Sequence, residues 1–279
     1  MTDIFKKTVS VVLTAFLSLA ATPEPTSTAR LAPSSLAPSS DDERPPACAS
    51  PLLDEARAAH ERLCQEETCA PEDLAVLDAA VAALRACALR RQELSEVPPL
   101  PAAAARWIFP VSRMRPQDSM GGPDGKGYLK NRRVTCYASA RTGHPAHDLF
   151  VRDRRQSGRD REGRAFEALA VEAGYVLATR EGWTPENGGA GGNYVLLYLP
   201  ARNWVAYYAH LDTVAVRAGD RVEAGAVLGK IGRSGRNAWA SRSPTHLHFA
   251  IWEPGRNWMP IDPYAMLRRA SVSSASASE

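Results

Sequence analysis

The sequence Thr245-His246-Leu247-His248-Phe249-Ala250-Ile251-Trp252 joins a His-x-His pair to a short run of apolar and aromatic residues. Such short runs, rich in β-branched and aromatic side chains and separated by glycine, aspartate and asparagine, are typical of β-strands. Three similar runs precede it, at residues 194–199, 204–208 and 226–231. The pattern predicts an all-β domain in the C-terminal part of the chain.

Two segments upstream have a helical periodicity instead. Apolar residues recur at steps of three and four in residues 52–64 and again from Pro71 onward. Pro71 followed by Glu72 and Asp73 is typical of a first helical turn. Proline loses no intrahelical hydrogen bond there, and acidic side chains interact favourably with the positive end of the helix dipole. We therefore expect a short α-helical hairpin, with its turn near residues 66–68, in front of the β domain.

Four of the five cysteines, Cys48, Cys64, Cys69 and Cys87, fall in this hairpin, and Cys136 stands apart. Antiparallel helices would bring Cys48 near Cys87 and Cys64 near Cys69, so we expect these two disulfides, although four cysteines permit three pairings. Zinc binding by the four thiols is the alternative. Their spacing lacks paired C-x-x-C motifs, which argues against it.

The N-terminus has the pattern of an export signal. Lys6 and Lys7 precede an uncharged run, residues 8–21, that ends in small side chains. The run is short for a bilayer span, and a retained N-terminal anchor is the alternative. We expect export to the periplasm or the extracellular space, which permits disulfides, and no stable membrane span after signal removal.

Composition divides the rest of the chain. Proline-rich and serine-rich stretches bury too little apolar surface to fold, so they predict linkers and tails. We expect a signal peptide (1–21), a disordered linker (22–47), the disulfide-stapled hairpin (48–95), a Pro/Ala linker (96–106), the β domain (107–269) and a disordered tail (270–279).

The 279 residues, 44% of them hydrophobic, suffice for one catalytic domain with appendages. A net charge of +3 is too small for a nucleic-acid binder, which usually carries a concentrated basic face. We therefore expect no nucleic-acid partner. The sequence leaves the oligomeric state open.

Five of the six histidines form three clusters in the β-rich part: His144 with His147, then His210, then His246 with His248. On a strand, side chains an even number of residues apart share a face, as His246 and His248 would, and as His144 and Asp148 would. Catalytic zinc takes three protein ligands and leaves one position open. The chain has no H-E-x-x-H helix, so a spare histidine would have to serve as the general base. Spacing alone does not divide these roles between His246 and His248.

Several ordered motifs resemble the lysostaphin-type, or LytM-type, zinc metallopeptidases. The resemblance covers roughly residues 134–262. Its five motifs all occur in the family's order: Gly143-His144-Pro145-Ala146-His147-Asp148, Tyr208-Ala209-His210-Leu211, Ala218-Gly219-Asp220-Arg221-Val222-Glu223-Ala224-Gly225, Leu228-Gly229-Lys230-Ile231-Gly232-Arg233-Ser234-Gly235 and Thr245-His246-Leu247-His248-Phe249. The resemblance implies a small antiparallel β-sheet or sandwich domain, like a duplicated hybrid motif, with the metal in an open groove.

The resemblance also implies roles for five residues. His144, Asp148 and His248 match the family's ligands to one zinc ion, and His210 and His246 match its catalytic histidines. Most members cut stem peptides or cross-links of peptidoglycan, so we expect a zinc metalloendopeptidase acting on peptidoglycan or another peptide. The alternatives are a catalytically silent module that binds the wall or activates a partner, and a secreted protease acting on proteins.

Four features depart from the family pattern or lie outside it. Ala146 replaces the usual glycine, and His147, beside a ligand, should point away from the metal into a supporting or surface position. The arginine-rich stretch 152–164 is either a solvated loop or a contact for anionic polymer or carboxylate-bearing substrate. The glycine-rich run 188–192 predicts a tight β turn, because no helix follows it as in a phosphate-binding loop.

Overall fold

A computed structural model describes residues 48, 50–94, 106–120, 128, 136–139 and 143–273. The expected signal peptide, the first linker and nearly all of the second lie outside the described residues. Within the described part, no helix is long and apolar enough to cross a membrane.

The structure is mainly β, with a helical hairpin at its N-terminal side, which confirms the predicted fold class. The helices are α1 (Pro51–Glu66), α2 (Pro71–Glu93), α3 (Pro116–Ser119), α4 (Arg236–Trp239) and α5 (Tyr264–Arg269). The strands are β1 (His147–Phe150), β2 (Glu167–Leu169), β3 (Gly174–Arg180), β4 (Asn193–Leu199), β5 (Trp204–Val214), β6 (Arg221–Val222), β7 (Val227–Ile231), β8 (His246–Glu253) and β9 (Met259–Ile261).

The nine strands of the described residues form one antiparallel sheet. Its main path runs β1-β8-β5-β4-β3-β6, while β2 and β7 pair with each other, β7 also pairs with β5, and β9 pairs with β8. All four runs that we predicted as strands are strands, and β5 extends six residues beyond the predicted end at Tyr208.

Local sequence signals set the ends of the hairpin helices. The Ser50 hydroxyl accepts a hydrogen bond from the Leu52 amide at 3.3 Å, which caps α1. Glu67 adopts a left-handed conformation (φ 52°) and its amide donates to the Leu63 carbonyl, which ends the helix. Pro71 opens α2 as predicted. The Arg62 guanidinium then joins the two helices through the Asp73 carboxylate, at 3.1 Å.

The hairpin packs on one face of the sheet, and other segments cover the opposite face. Alternation along β4 sends Tyr194 towards the hairpin side and Val195 to the other, where Trp107, Phe109 and Leu267 also pack. Every residue of β4 is buried as a result. The sheet therefore has two apolar faces, and the hairpin is part of the core of the β domain.

His60 is the centre of an aromatic cluster between α1 and the sheet. Its ring lies 4.9 Å from that of Tyr194, 5.4 Å from Tyr207 and 5.7 Å from Trp252, measured between centroids. Its Nδ1 is 2.8 Å from the Tyr137 hydroxyl. Burial, with the nearby charge of Arg180, lowers the pKa of His60 from 6.5 to about 3, so this histidine is neutral in the folded protein.

The disulfides confirm one predicted pair and correct the other. Cys48 bonds to Cys87, as expected. The predicted pair of Cys64 with Cys69 is wrong, because Cys69 bonds to Cys136 and Cys64 is a free thiol. Cys64 lies one turn after His60 and its sulfur is 3.7 Å from His60 Nε2, whereas Cys69 lies in the interhelical turn. The second disulfide therefore links the hairpin to the β domain.

The predicted tail also starts too early. Ser271 belongs to the folded domain, since its carbonyl accepts from the Phe109 amide at 2.8 Å and its amide donates to the Trp107 carbonyl at 2.7 Å. Residues 274–279 lie outside the described part of the chain.

We predict that His60 makes the fold less stable in acid. Its folded pKa is lowered, so the unfolded chain binds a proton below pH 6.5 that the folded chain does not. Stability from this residue is full above pH 6.5 and falls as the pH drops towards 3. Between pH 7.5 and 5, wild type should lose about 2 kcal/mol more than His60→Gln in urea unfolding. Equal losses would contradict this, because the other titrating groups are common to both proteins.

We also predict a single reactive thiol. Unfolding without reductant should let a maleimide modify Cys64 alone, and Cys64→Ser should take up no label. Peptide mapping of the unreduced protein should recover Cys69 joined to Cys136. A peptide joining Cys64 to Cys69 would contradict the structure.

Candidate functional site

A groove of about 670 Å³ opens on the sheet face that also carries the hairpin. Strands β5 and β8 form its floor, the loop 187–192 and the start of α4 form one side, and helix α1 contributes to its wall. The α1 residues that line it are His60, Glu61, Cys64 and Gln65. No sequence pattern predicted that the hairpin would reach this groove.

Three side chains converge at one end of the groove. His144 Nε2 lies 3.3 Å from Asp148 Oδ1 and 3.1 Å from His248 Nδ1. Asp148 Oδ1 and His248 Nδ1 are also 3.1 Å apart. Within the described residues, this is the one group of three or more His, Cys, Asp or Glu side chains whose ligand atoms lie close enough to hold a metal.

The triangle of ligand atoms has the dimensions of a tetrahedral zinc site. Zinc bonds of about 2.0 to 2.1 Å at tetrahedral angles separate neighbouring ligand atoms by about 3.3 Å. Hydrogen bonds alone do not explain the three short distances. Each distance would need its own N–H donor, but two neutral imidazoles supply at most two N–H groups and an ionised carboxylate supplies none. Two imidazole nitrogens and a carboxylate oxygen are also the ligand types that zinc accepts. The residues therefore fit the metal that the resemblance implies.

The register of the sheet brings two of these residues together. Asp148 of β1 pairs directly with His248 of β8, so their side chains lie side by side on one face. His144 precedes β1, in a turn where the Ala146 amide donates to its carbonyl at 2.8 Å. The even spacing of His144 and Asp148 thus does not act through one continuous strand, as our strand reasoning assumed.

The Asp148 carboxylate is ionised in this setting. Burial alone would raise the pKa of this carboxyl group. Hydrogen bonds with His144 and His248, together with the charges of His248 and His246, lower it by more than burial raises it, so the pKa lies well below its usual range. The pKa of His248 is lowered mainly by burial, against the opposing effect of Asp148. The lowered pKa values of Asp148 and His248 both favour the protonation states in which these side chains bind a metal.

His210 reaches the same site through a β-bulge. Regular alternation would send it to the face opposite Ala209, away from His248. Instead, the pairing between β4 and β5 shifts register there, and His210 takes a left-handed conformation with φ 65°. Its ring centroid then lies 4.9 Å from that of His246 and 5.6 Å from that of His248.

Backbone carbonyls fix both rings that do not belong to the triangle. His210 Nδ1 donates to the Ser234 carbonyl at 2.8 Å, and His246 Nδ1 donates to the Pro244 carbonyl at 2.7 Å. A carbonyl only accepts, so in each neutral ring the proton sits on Nδ1 and the lone pair on Nε2. The His246 Nε2 atom is 3.6 Å from Asp148 Oδ1, which places it at the triangle.

Close packing of two glycine-containing loops holds the Ser234 carbonyl in place. Gly192 has φ 70°, and a Cβ there would lie 2.3 Å from Ser234. Gly235 has φ 92°, and a Cβ there would lie 2.3 Å from the Ala190 carbonyl oxygen. Both positions thus require glycine for conformation and for space. The Asn193 amide donates to the Ser234 hydroxyl at 2.8 Å, which completes the support beneath His210.

Burial also controls the charge of His210. The ring is 3% exposed, and burial, followed by the nearby His248 and His246, lowers its pKa from 6.5 to about 3. His210 is therefore a neutral imidazole across the physiological pH range.

His147 points away from the triangle. It is fully buried, and its Nε2 donates to Asp262 Oδ1 at 2.9 Å. The ring packs against Tyr264 with centroids 5.9 Å apart. The prediction that His147 points away from the metal ligands agrees with the structure, but the ring is buried rather than on the surface, and it contacts Asp262 rather than a ligand.

The arginine-rich stretch 152–164 is a surface loop. The six arginines of 152–164 are all exposed, and several pair locally, as Arg164 does with Asp160 at 2.9 Å. This fits the solvated-loop interpretation. The predicted tight β turn at 188–192 is wrong, because this run is only the end of a long β3–β4 connection (181–192) whose turn lies at 185–187. The glycine-rich run lines the groove instead.

Sequence reasoning missed several groove residues. Glu61, Arg180 and Tyr207 all line it. Tyr207 lies two residues before Ala209 on β5, so strand alternation could have placed it on the site face. No local pattern marks Glu61 or Arg180, because their position depends on how the hairpin and β3 pack.

Comparisons with known proteins relate part of the β domain to a peptidase family. Residues 159–263 match Peptidase family M23. This range contains His210, His246 and His248 but begins after His144 and Asp148. The L-Ala--D-Glu endopeptidase of Bacillus subtilis (strain 168) is 38% identical over 71 residues, which is 24% of this chain. The match spans 22% of that relative's own length.

Two solved structures are among the similar ones. A lytM protein of Ruminococcus gnavus is 26% identical with a TM-score of 0.40, over 58% of this chain and 59% of that one. The catalytic domain of the antimicrobial peptidase lysostaphin from Staphylococcus simulans is 23% identical with a TM-score of 0.35, over 52% of this chain and 90% of that one. Together with the motifs quoted above, the match over residues 159–263 makes this part of the chain similar to Peptidase family M23.

Proposed function

We propose that this domain is a zinc-dependent endopeptidase that cuts the peptide part of the bacterial cell wall. The observation that carries the proposal is the convergence of His144, Asp148 and His248 on one point, with His210 and His246 beside it. The family match supports peptidase chemistry, and the spacing of the ligand atoms supports zinc.

In this proposal His144 Nε2, Asp148 Oδ1 and His248 Nδ1 hold one zinc ion. Zinc there would supply Lewis-acid chemistry, which polarises a peptide carbonyl and makes water more acidic. The ionised Asp148 lowers the net charge of the site and also accepts from the imidazoles when the metal is absent.

His210 and His246 handle the protons. Each ring is anchored through Nδ1 to a carbonyl, so Nε2 is the atom left to accept a proton from the attacking water. The ring that takes the proton can then pass it to the amine of the departing peptide. Because burial keeps His210 neutral before the reaction, its Nε2 lone pair is available at neutral pH.

Cell-wall peptide is the substrate that the relatives favour. One relative is named for cleaving between L-Ala and D-Glu, and we extend a peptidoglycan peptide substrate of that kind to this chain. The two disulfides are consistent with a protein that resides in the periplasm or outside the cell, because these compartments are oxidising. We infer export from these bonds and from the N-terminal sequence pattern.

Removing a ligand should release the metal. We expect one zinc ion per wild-type chain after gel filtration, and less than about a tenth of that in Asp148→Ala and His248→Ala, because two protein ligands bind zinc far more weakly than three. Asp118→Asn, which alters a surface carboxylate paired with Arg152, is the control and should keep its zinc. The measurement is metal content by mass spectrometry, and full zinc in both ligand variants would contradict the assignment.

Removing a proton-handling histidine should stop turnover and leave the metal in place. We expect zinc-loaded His246→Ala to cut at least about 100-fold more slowly than wild type, the usual scale of general acid–base catalysis. Mass spectrometry of muropeptides after digestion gives the readout and identifies the bond.

The same digestion separates the proposal from its alternatives. Intact muropeptides after treatment with zinc-loaded wild type would favour a silent wall-binding module. Cleavage of proteins but not of muropeptides would favour a general secreted protease. A fully active His246→Ala enzyme would reject the histidine's role and keep the zinc site.

A further inference from the structure

A row of paired residues crosses the sheet from the ligand triangle to Arg180. Asp148 pairs with His248, His248 with Ala209, Ala209 with Tyr194, and Tyr194 with Arg180. Directly paired residues of antiparallel strands place their side chains on the same face. Arg180 therefore shares a face with the ligands, at the far end of the groove floor, and it lines the groove.

The row also gives a distance. Three strand steps separate β8 from β3, and neighbouring strands are about 4.8 Å apart, so the backbones of His248 and Arg180 lie about 14 Å apart. An extended peptide covers about 3.3 Å per residue, so this distance equals about four residues. The arginine side chain can reach back along the groove and shorten that span. A group two to four residues from the scissile bond can therefore meet Arg180.

The Arg180 guanidinium has weak protein partners. Its Nη2 donates to the Asn187 side-chain oxygen at 3.4 Å and to the Gly188 carbonyl at 3.3 Å, both neutral and both long. No carboxylate of the described residues lies within ion-pair distance of it. Glu61, the nearby acid of α1, is instead 3.6 Å from Arg57 and accepts from the Tyr194 hydroxyl at 3.4 Å.

Arg180 is half-buried, and no carboxylate of the described residues balances its charge. A carboxylate on a bound ligand would supply the missing negative charge. The N–H groups of a guanidinium lie in one plane and can donate to both oxygens of a carboxylate at once. A side-chain amide in the ligand has only one oxygen and no negative charge, so it cannot make this paired contact. We propose that Arg180 binds a carboxylate of the substrate two to four residues from the scissile bond, so that the groove selects acidic peptides. This inference rests on the proposed endopeptidase function and names the substrate class that the site accepts.

The test uses pairs of synthetic stem peptides that differ only in one group, a free glutamate carboxylate or its amide, placed two, three or four residues from the cut bond. For wild type, kcat/KM should favour the free acid by about tenfold or more in at least one pair, mainly through KM, as expected for a charge-assisted hydrogen-bonded contact. Arg180→Gln should reduce that preference to within about twofold, and Arg180→Lys should retain part of it because the charge remains without the fork.

Two control variants sharpen the test. Arg256→Gln removes a largely exposed arginine that lies outside the groove, and it should keep the wild-type preference. Arg236→Gln removes the second groove arginine and should keep it too. The proposal is overturned if wild type shows no preference, if Arg180→Gln retains it, or if Arg236→Gln alone abolishes it.

Calorimetry with the same peptides separates this proposal from the catalytic one. If zinc-loaded wild type cuts neither member of any pair, the proposed endopeptidase function fails on these substrates. Binding to His246→Ala then decides the role of Arg180. Tighter binding of the free acid, lost in the double variant with Arg180→Gln, supports the carboxylate site, and equal binding of acid and amide rejects it.

Discussion

The direct pairing of Asp148 with His248 is the constraint on which the site depends. Side chains alternate along a strand, so a shift of β1 by one residue would send Asp148 to the opposite face and bring His147 or Leu149 to the triangle. The buried Leu149 and the His147–Asp262 contact on the other face resist that shift. Packing beneath the sheet thus fixes the position of a polar group above it.

The hairpin completes the face that this pairing defines. Its apolar side packs on the same sheet surface that carries the ligands, and the aromatic cluster around His60 reaches His248 through Tyr207, whose ring centroid is 5.8 Å from that of His248. The groove is consequently bounded by residues from both parts of the chain. Helix α1 is structurally part of the β domain although it lies outside the matched range 159–263.

Sequence patterns predicted the elements and the residues that meet, but not the contacts that depend on tertiary packing. Strand composition identified β4, β5, β7 and β8, and helical periodicity identified the hairpin. The bulge that turns His210 to the site face has no local signature, and only the motif resemblance pointed to this residue. Cys69 paired with Cys136 because the hairpin docks on the sheet, whereas our pairing considered the hairpin by itself.

The Cys69–Cys136 disulfide links the helical hairpin covalently to the β domain, in addition to the backbone that connects them. A protease that cut anywhere between α2 and Trp107 would leave two fragments still joined, with α1 still against the sheet. Truncating the chain at Trp107 would instead remove a wall of the groove and uncover the apolar face beneath it. The hairpin is thus held as a permanent part of the folded domain rather than as a detachable propeptide, and separating the fragments would require a reductant as well as a cut.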